Sequence, residues 1–256
     1  MRNDLFDKLK AGQKPVGSFL SLGNATTAEC LALAGVDYLI IDSEHGPFGV
    51  ESALEIMRAA ELGGSTALVR VQDGSRASIL KMLDIGARAL VIPNIHTVGE
   101  VKRLVEYGKF FPQGQRGLFM ARSCGYGQAD YARKFTDYMN LANERTLLLP
   151  QCETRGCLDN IEEIAAVEGV SGIFVGPFDL SVGLGKPTRF DDPEFQEALR
   201  RILAACKAAG KFSFIFSPDV ETARKYFEQG FDSVVVSVDG LMLIEAYKGV
   251  MKALGK

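Results

Sequence analysis

The sequence of 256 residues contains no tryptophan, only two histidines and an odd number of cysteines, five. No two cysteines form a Cys-x-x-Cys pair, so the pattern of a thiolate zinc site is absent. Unpaired thiols are ordinary in a reducing compartment, where disulfides are rare. We therefore expect the cysteines to be reduced and to hold no metal.

Long apolar runs and blocks of one charge are also missing. No run approaches the ~20 apolar residues that a bilayer-spanning helix needs, and the N-terminal segment lacks the apolar stretch of a signal peptide. These absences predict a cytoplasmic protein with no membrane partner. The net charge of −3 and the lack of any long Lys/Arg run give no sign of a nucleic-acid partner.

Short runs of aliphatic and β-branched residues recur along the chain. They cover residues 16–22, 38–41, 67–71, 89–92, 146–149, 172–175, 212–216 and 233–238. Such nearly continuous apolar runs are typical of strands that are buried on both faces in a parallel sheet.

Between the runs lie segments with the apolar spacing of amphipathic helices, and several of these end at a glycine. Examples are residues 52–62, 78–85, 193–209 and 220–229. Glycine is the usual residue just after a helix, because it enters the left-handed conformation freely. Asp192 and Pro193 predict an N-cap and a first helical position for the longest helix.

Alternating strands and helices are compatible with an open doubly wound sheet or with a closed barrel. The first run is not followed by the G-x-G-x-x-G of a dinucleotide-binding fold. Eight strands in about 250 residues favour a (β/α)8 TIM barrel as a single domain over residues 1–256. In such a barrel the active site lies at the carboxyl ends of the strands, so the polar residues after each run are the candidates.

Two acidic residues follow consecutive runs at this rim. Glu153 comes after the fifth run, close to Gln151, and Asp179 comes after the sixth. Two carboxylates held close together need a cation or a proton between them, and oxygen ligands favour Mg²⁺ or Mn²⁺. The alternative is that each acid pairs with an arginine of the rim: Arg122, Arg155 or Arg189.

A histidine and an arginine also follow predicted strands. His45 stands after the second run beside Asp42 and Glu44, where a carboxylate neighbour would make it a usable general base. Arg70 follows the third run and suits an anionic oxygen, although an ion pair with a rim acid is an equal alternative. Gly176 would let the backbone approach a ligand closely, or would only form a tight turn with Pro177.

Lysine is informative by its absence from this rim, since none of the eight runs ends in a lysine. A Schiff-base aldolase needs an activated lysine near the reacting carbonyl. Carbonyl chemistry assisted by a metal is therefore favoured over chemistry through an imine.

The rim segments resemble those of the metal-dependent (class II) pyruvate aldolases of the 4-hydroxy-2-oxoheptanedioate and 2-dehydro-3-deoxyglucarate aldolase family. The similarity runs in order over nearly the whole chain. The segments that carry it are GVDYLIIDSEHGP at 35–47, LVR at 68–70, LDIGARALVIP at 83–93, QCETR at 151–155, VEGVSGIFVGPFDLS at 167–181 and residues 230–239. The Gln-x-Glu and Gly-Pro-x-Asp-Leu motifs are its most specific part.

This resemblance implies reversible cleavage of a 4-hydroxy-2-oxo acid to pyruvate and an aldehyde through a pyruvate enolate. It implies Mg²⁺, Mn²⁺ or Co²⁺ held by Glu153 and Asp179, Arg70 at the enolate oxygen and His45 in proton transfer. The substrate-binding set that it implies is Gln151, Arg70 and the segment Gly176, Pro177 and Phe178.

The resemblance also has implications for assembly. It implies a last helix exchanged between subunits and a homo-hexamer formed as a trimer of dimers. It pairs His45 with Asp84, which lies late on the helix after the third strand, so this pairing requires a neighbouring subunit. The chain departs from familiar members at residues 122–127 and differs at variable positions such as Ser217 and Val238, which leaves the aldehyde open: a dicarboxylate semialdehyde, a hydroxyaldehyde or a simple aldehyde.

Two other functions remain as alternatives. A lyase for CoA thioesters, of the malyl-CoA or citrate-lyase-like type, would need extra basic surface or a C-terminal extension for the CoA phosphates. A non-catalytic barrel that binds oxo acids would not need the base that His45 supplies.

Overall fold

Eight parallel strands close into a barrel in chain order, because the first strand pairs with both the second and the eighth. The computed structural model describes all residues from Met1 to Lys256. The strands are β1 (Val16–Leu20), β2 (Tyr38–Asp42), β3 (Thr66–Arg70), β4 (Ala89–Ile92), β5 (Leu147–Cys152), β6 (Gly172–Val175), β7 (Phe212–Ser217) and β8 (Ser233–Val238). The predicted (β/α)8 barrel is confirmed.

Helices separate the strands and cover the outside of the barrel. They are α1 (Asp4–Lys10), α2 (Ala25–Leu33), α3 (Val50–Gly63), α4 (Arg76–Asp84), α5 (Val98–Gly108), α6 (Phe135–Arg145), α7 (Arg155–Asp159), α8 (Ile161–Ala166), α9 (Pro177–Gly183), α10 (Pro193–Ala209), α11 (Val220–Gln229) and α12 (Asp239–Ala253). Short 3-10 turns at Arg122–Gly127 and Asp130–Ala132 lie in the long connection between α5 and α6.

Local sequence sets the helix ends as expected. The Asp192 side chain accepts a hydrogen bond from the Glu194 amide at the start of α10, with Pro193 in the first turn. Gly210 and Gly230 end α10 and α11 with φ of 65° and 111°, a conformation that costs a residue with a Cβ more than it costs glycine. The strand after Thr146 is longer than predicted and runs on to Cys152, which places Gln151 within it.

The inside of the barrel is filled by apolar side chains, so it holds no channel. Phe19, Leu68, Phe174 and Phe214 belong to one buried cluster with side chains of the other strands. Leu5, Phe6 and Leu9 of α1 join the same cluster and close the amino-terminal end of the barrel. A ligand can therefore reach the barrel only at its carboxyl rim.

The last helix, α12, makes few contacts with the rest of the chain. Asp239 at its start is its only buried residue, while Leu241, Ile244 and Tyr247 are all more than half exposed. One chain cannot exchange a helix with itself, so the predicted exchange between subunits stays a prediction. None of the twelve helices combines the length and the apolar character that crossing a bilayer requires.

Candidate active site at the carboxyl rim of the barrel

A buried ion pair joins the ends of the second and third strands. Asp42 and Arg70 stand opposite each other in the pairing of β2 with β3. Nε and Nη2 of Arg70 donate to the two oxygens of Asp42 at 2.8 and 2.6 Å. Burial alone would raise the pKa of Asp42, but the hydrogen bonds and charge of Arg70 hold it below its usual value. The arginine is therefore fixed as a planar fork at the rim.

Arg70 has two further neighbours. Its Nη1 lies 3.2 Å from Oε2 of Glu44, and its guanidinium carbon lies 4.8 Å from the centre of the Phe19 ring. Burial raises the pKa of Glu44, while Arg70 opposes that shift and the charges of Asp42 and Asp179 add to it. The ion-pair alternative for Arg70 is thus observed, although a paired guanidinium can still donate to a ligand.

Glu153 is buried, with 7% of its surface exposed, and has no cationic partner within salt-bridge distance. Its Oε1 accepts the backbone N–H of Asn94 at 2.6 Å, and its Oε2 accepts a hydrogen bond from Nε2 of Gln151. Burial raises its pKa to about 7; these two hydrogen bonds oppose the shift, and the charges of Glu44 and Asp179 add to it. A carboxylate in this position is poorly neutralised by the protein alone.

Asp179 lies in the first turn of α9 and is exposed. Gly176 lets this turn come close to the end of β5, because a Cβ at Gly176 would lie 2.8 Å from Oε2 of Glu153 and 2.9 Å from Nε2 of Gln151. Gly176 is thus required for close approach to Glu153, and it also caps α9. The Phe178 amide, in the first turn of α9, has no carbonyl partner within the chain.

The arginines considered as partners of Glu153 and Asp179 lie elsewhere. Arg122 pairs with Glu61 at 2.5 Å, and Arg155 pairs with Glu194 at 3.0 Å. Arg189 forms no salt bridge. The ion-pair alternative for the two rim carboxylates is therefore not observed.

Oε1 of Gln151 is a buried oxygen at the rim with no hydrogen-bond partner. Oε2 of Glu44 is also buried without a hydrogen bond, and its charged neighbour is the Arg70 guanidinium at 3.2 Å. Such atoms cost free energy unless a ligand or a cation meets them. Glu153 and Asp179 line the same cavity, and their carboxylate oxygens are of the type that a hard divalent cation prefers. No group of three or more metal-binding side chains converges anywhere in the chain, so such a cation would take further ligands from water or substrate.

Two adjacent cavities open at this rim. One, of about 200 Å³, is bordered by Arg70, Gln151, Gly176, Pro177 and Phe178, and the other, of about 470 Å³, by Glu44, Glu153 and Asn94. His45 and Asp179 line both. All the predicted site residues except Asp84 therefore lie around one opening.

Asp84 is the exception. It is the last residue of α4, and its Oδ1 accepts a hydrogen bond from Nη2 of Arg116 at 2.9 Å. His45 is 70% exposed, and its nearest acid is Glu44, with Nε2 and Oε2 3.9 Å apart. Within one chain the structure does not bring Asp84 to His45, so that pairing stays a prediction about a partner subunit.

The predicted site omits two residues that the structure places at the rim. Asp42 orients Arg70, and Asn94 holds Glu153 through its backbone. The β2–β3 register would have indicated Asp42, since it ends β2 where Arg70 ends β3. No sequence signal marks a backbone amide such as that of Asn94.

Comparison with known proteins is consistent with this site. Residues 16–246 match the model of the family described as HpcH/HpaI aldolase/citrate lyase. The chain is 34% identical over 255 residues to a protein of Salmonella paratyphi A named 4-hydroxy-2-oxo-heptane-1,7-dioate aldolase, which covers 100% of this chain and 95% of that protein. It is 35% identical over 248 residues to a 2-keto-3-deoxy-L-rhamnonate aldolase of Salmonella gallinarum, covering 96% and 91% of the two chains.

A solved structure has the same fold. The crystal structure of an HpcH/HpaI aldolase/citrate lyase family protein from Burkholderia cenocepacia matches this fold with a TM-score of 0.92 and 34% identity, over 100% of both chains. The similarity therefore extends over the barrel as a whole.

The environment of Glu153 predicts an unusual pH dependence of stability in the metal-free protein. Its folded pKa of about 7 lies above its ordinary value of 4.5, so between these values the folded state binds more protons than the unfolded state. The free energy of unfolding in EDTA should then fall as pH rises from 4.5 to 7, by on the order of 2–3 kcal/mol. Chemical denaturation at several pH values measures this slope.

Glu153→Gln removes the titrating group and should flatten that slope, which makes the variant more stable than the wild type at pH 8 in EDTA. The exposed Glu228→Gln is the matched control and should follow the wild type. A Glu153→Gln variant with the wild-type slope would show that titration of Glu153 does not cause the pH dependence of stability.

Proposed function

Since the chain belongs to the HpcH/HpaI aldolase/citrate lyase family, we propose that its rim residues cleave a 4-hydroxy-2-oxo acid to pyruvate and an aldehyde. The protein is an aldolase of this family, and both similar Salmonella proteins are named as aldolases of 2-oxo acids. The single observation that carries the assignment to these residues is Glu153: a buried carboxylate, next to Gln151 with its unpartnered Oε1, that has no cation of the chain within salt-bridge distance.

The cation of this proposal is Mg²⁺, Mn²⁺ or Co²⁺, held by Glu153 and Asp179. When bound, it supplies positive charge that polarises the 2-oxo group and stabilises an enolate. Glu153 is suited to hold it, because Asn94 and Gln151 fix both of its oxygens. Asp179 can adjust to the ion, since it is exposed in the first turn of α9.

Arg70 is proposed to donate to the oxygen that becomes the enolate. Asp42 occupies its Nε and Nη2, so Nη1, which lies 3.2 Å from Oε2 of Glu44, is the proposed donor to the substrate. A guanidinium held in advance loses no free energy to reorientation when charge develops on the substrate. Asp42 is thus a positioning residue in this proposal, and Arg70 is a catalytic one.

The carboxylate of pyruvate is proposed to lie against the turn from Gly176 to Phe178, with Gln151 beside it. The free N–H of Phe178 supports this position, whereas the Gly176 N–H already donates to the Cys152 carbonyl at 3.3 Å. Pro177 has no N–H and shapes the turn. Phe178 therefore supplies the backbone donor.

Proton transfer is proposed to involve His45. In the cleavage direction the 4-hydroxyl proton leaves, the C3–C4 bond breaks, and its electron pair forms the enolate as the aldehyde departs. A proton then returns to C3 and completes pyruvate, so no oxidant or reductant is required. The exposed His45 imidazole can exchange its proton with water or with the substrate oxygen.

Assembly into a homo-hexamer with an exchanged α12 is part of the same proposal. The helix is apolar and more exposed than a helix of an isolated barrel should be, which supports a second copy as its partner. Asp84 can act with His45 only across such an interface.

A lyase for CoA thioesters is the weaker alternative. No Lys or Arg other than Arg70 lines either rim cavity, and a phosphate-bearing carrier needs free cations. A barrel that only binds oxo acids would not need a base such as His45, which lines both rim cavities.

Metal removal gives the first test of the proposed function. In D₂O with Mg²⁺ or Mn²⁺, the protein should exchange the methyl protons of pyruvate for deuterium, because enolisation needs no aldehyde. EDTA should abolish the exchange, and added metal should restore it, as followed by proton NMR. Exchange that survives complete chelation would contradict metal-assisted enolisation.

Arg70→Lys tests the guanidinium. The variant keeps the positive charge but loses the fork that Asp42 holds, so we expect the exchange rate to fall by roughly 100-fold. Arg200→Lys is the control, since Arg200 forms an exposed pair with Glu197. Thermal unfolding of each variant separates loss of fold from loss of rate, and a folded Arg70→Lys with wild-type exchange would remove Arg70 from the reaction.

A further inference from the structure

The smaller rim cavity has an aromatic wall, formed by Phe19, Phe174, Phe178 and Phe216. The ring centres of Phe19 and Phe216 are 5.8 Å apart, those of Phe178 and Phe216 are 5.9 Å apart, and those of Phe19 and Phe174 are 6.1 Å apart. The rings therefore form one continuous surface, to which Leu20 and Val238 add apolar side chains. This surface faces the cavity that Arg70, Gln151 and Asp179 also line.

Positive charge is scarce around this cavity. Arg70 is the only lysine or arginine that borders either rim cavity. Asp42 binds two of its nitrogens and Glu44 lies 3.2 Å from the third. The proposed pyruvate enolate interacts with the remaining nitrogen of Arg70, so a second substrate carboxylate would find no free lysine or arginine of this chain.

The two arginines of the long connection between α5 and α6 are also committed. Arg116 is almost fully buried and pairs with Asp84. Arg122 pairs with Glu61 and donates to the Ile85 carbonyl at 2.9 Å. Neither has a free guanidinium for a substrate.

Other polar groups of the cavity favour cations rather than anions. Ser21 donates both its N–H and its hydroxyl to Asp239, and Asp179 is a proposed ligand of the metal. A second substrate carboxylate in this cavity would lose its hydration without gaining a charged partner from this chain. An alkyl or aryl group would instead bury apolar surface against the rings.

We infer that the aldehyde partner of this enzyme carries an uncharged, apolar substituent, which lies against the wall of Phe19, Phe174, Phe178 and Phe216. The inference rests on the proposed pyruvate chemistry and narrows it to one class of acceptor. It separates this chain from the similar 1,7-dioate aldolase, whose named substrate bears a second carboxylate at its far end. In the synthetic direction the new C–C bond joins pyruvate C3 to the aldehyde carbon, and the proton lost from C3 is balanced by the one gained by the aldehyde oxygen.

A matched pair of aldehydes tests the inference. Butanal and 4-oxobutanoate share a four-carbon aldehyde chain and differ at the far end, which is a methyl group in one and a carboxylate in the other. With pyruvate and Mg²⁺ or Mn²⁺, we expect kcat/KM for butanal to exceed that for 4-oxobutanoate by at least about 10-fold, as a site without a charged partner should discriminate. Equal values, or a preference for 4-oxobutanoate, would overturn the inference.

Deuterium exchange into pyruvate, measured in the same samples, separates two failures. Exchange together with a preference for 4-oxobutanoate would leave the proposed function standing and refute only the apolar acceptor. No exchange under any metal condition would refute the proposed function itself, and with it the inference that depends on it.

Substitution of the wall gives the converse test. Phe216→Lys places a cation among the rings and should shift the kcat/KM ratio of the two aldehydes toward 4-oxobutanoate by at least about 10-fold, whereas Phe216→Leu should keep the preference for butanal. The ratio is internal to each variant, so a general loss of rate cancels. If Phe216→Lys does not fold, Val238→Lys places a cation at the same cavity. The control is Phe111→Lys, at an exposed residue outside the cavity, which should leave the ratio at its wild-type value. A ratio that neither cation in the cavity moves would overturn the placement of the substituent.

Discussion

Glu44, Glu153 and Asp179 lie around one opening of the barrel. The guanidinium at this rim is that of Arg70, and two of its nitrogens are hydrogen-bonded to Asp42. Burial and mutual repulsion raise the pKa values of Glu44 and Glu153. Such a cluster is unfavourable for the empty protein and favourable for a cation or a developing positive charge. The proposed metal site, the proposed role of Arg70 and the inferred class of aldehyde all rest on this imbalance of charge.

The barrel makes this imbalance possible by fixing the strand ends. Parallel strands bring Asp42, Arg70 and Glu153 to the same rim, while the packed interior and α1 close the other end. The clustered carboxylates at the rim destabilise the folded state, and burial of the apolar core offsets this cost, as is common for active sites. Gly176 completes the arrangement, because a Cβ there would force the side-chain ends of Glu153 and Gln151 to move.

Much of this could be predicted from the sequence. The apolar runs and the capping residues of α10 and α11 predicted the barrel, because buried parallel strands and capped helices have recognisable sequence patterns. The positions of Arg70, Glu153 and Asp179 followed from the rule that functional residues stand after the strands. The Arg70 ion pair with Asp42 needed the strand register.

Other features left no such pattern. Phe19, Phe174 and Phe216 lie within apolar strands, where a residue that lines a cavity and one that fills the core look the same in sequence. The contact of Asn94 with Glu153 is made by its backbone, which any residue could provide. The predicted pairing of His45 with Asp84 would require a second subunit, so it leaves no trace in the structure of a single chain.

Anomalous diffraction from crystals grown with Mn²⁺ and pyruvate tests the central claim most directly. The account predicts one manganese peak at the rim, with one oxygen each from Glu153 and Asp179 among its ligands and pyruvate bound beside Arg70. Manganese bound elsewhere, or pyruvate held at the rim with no metal between these carboxylates, would contradict it.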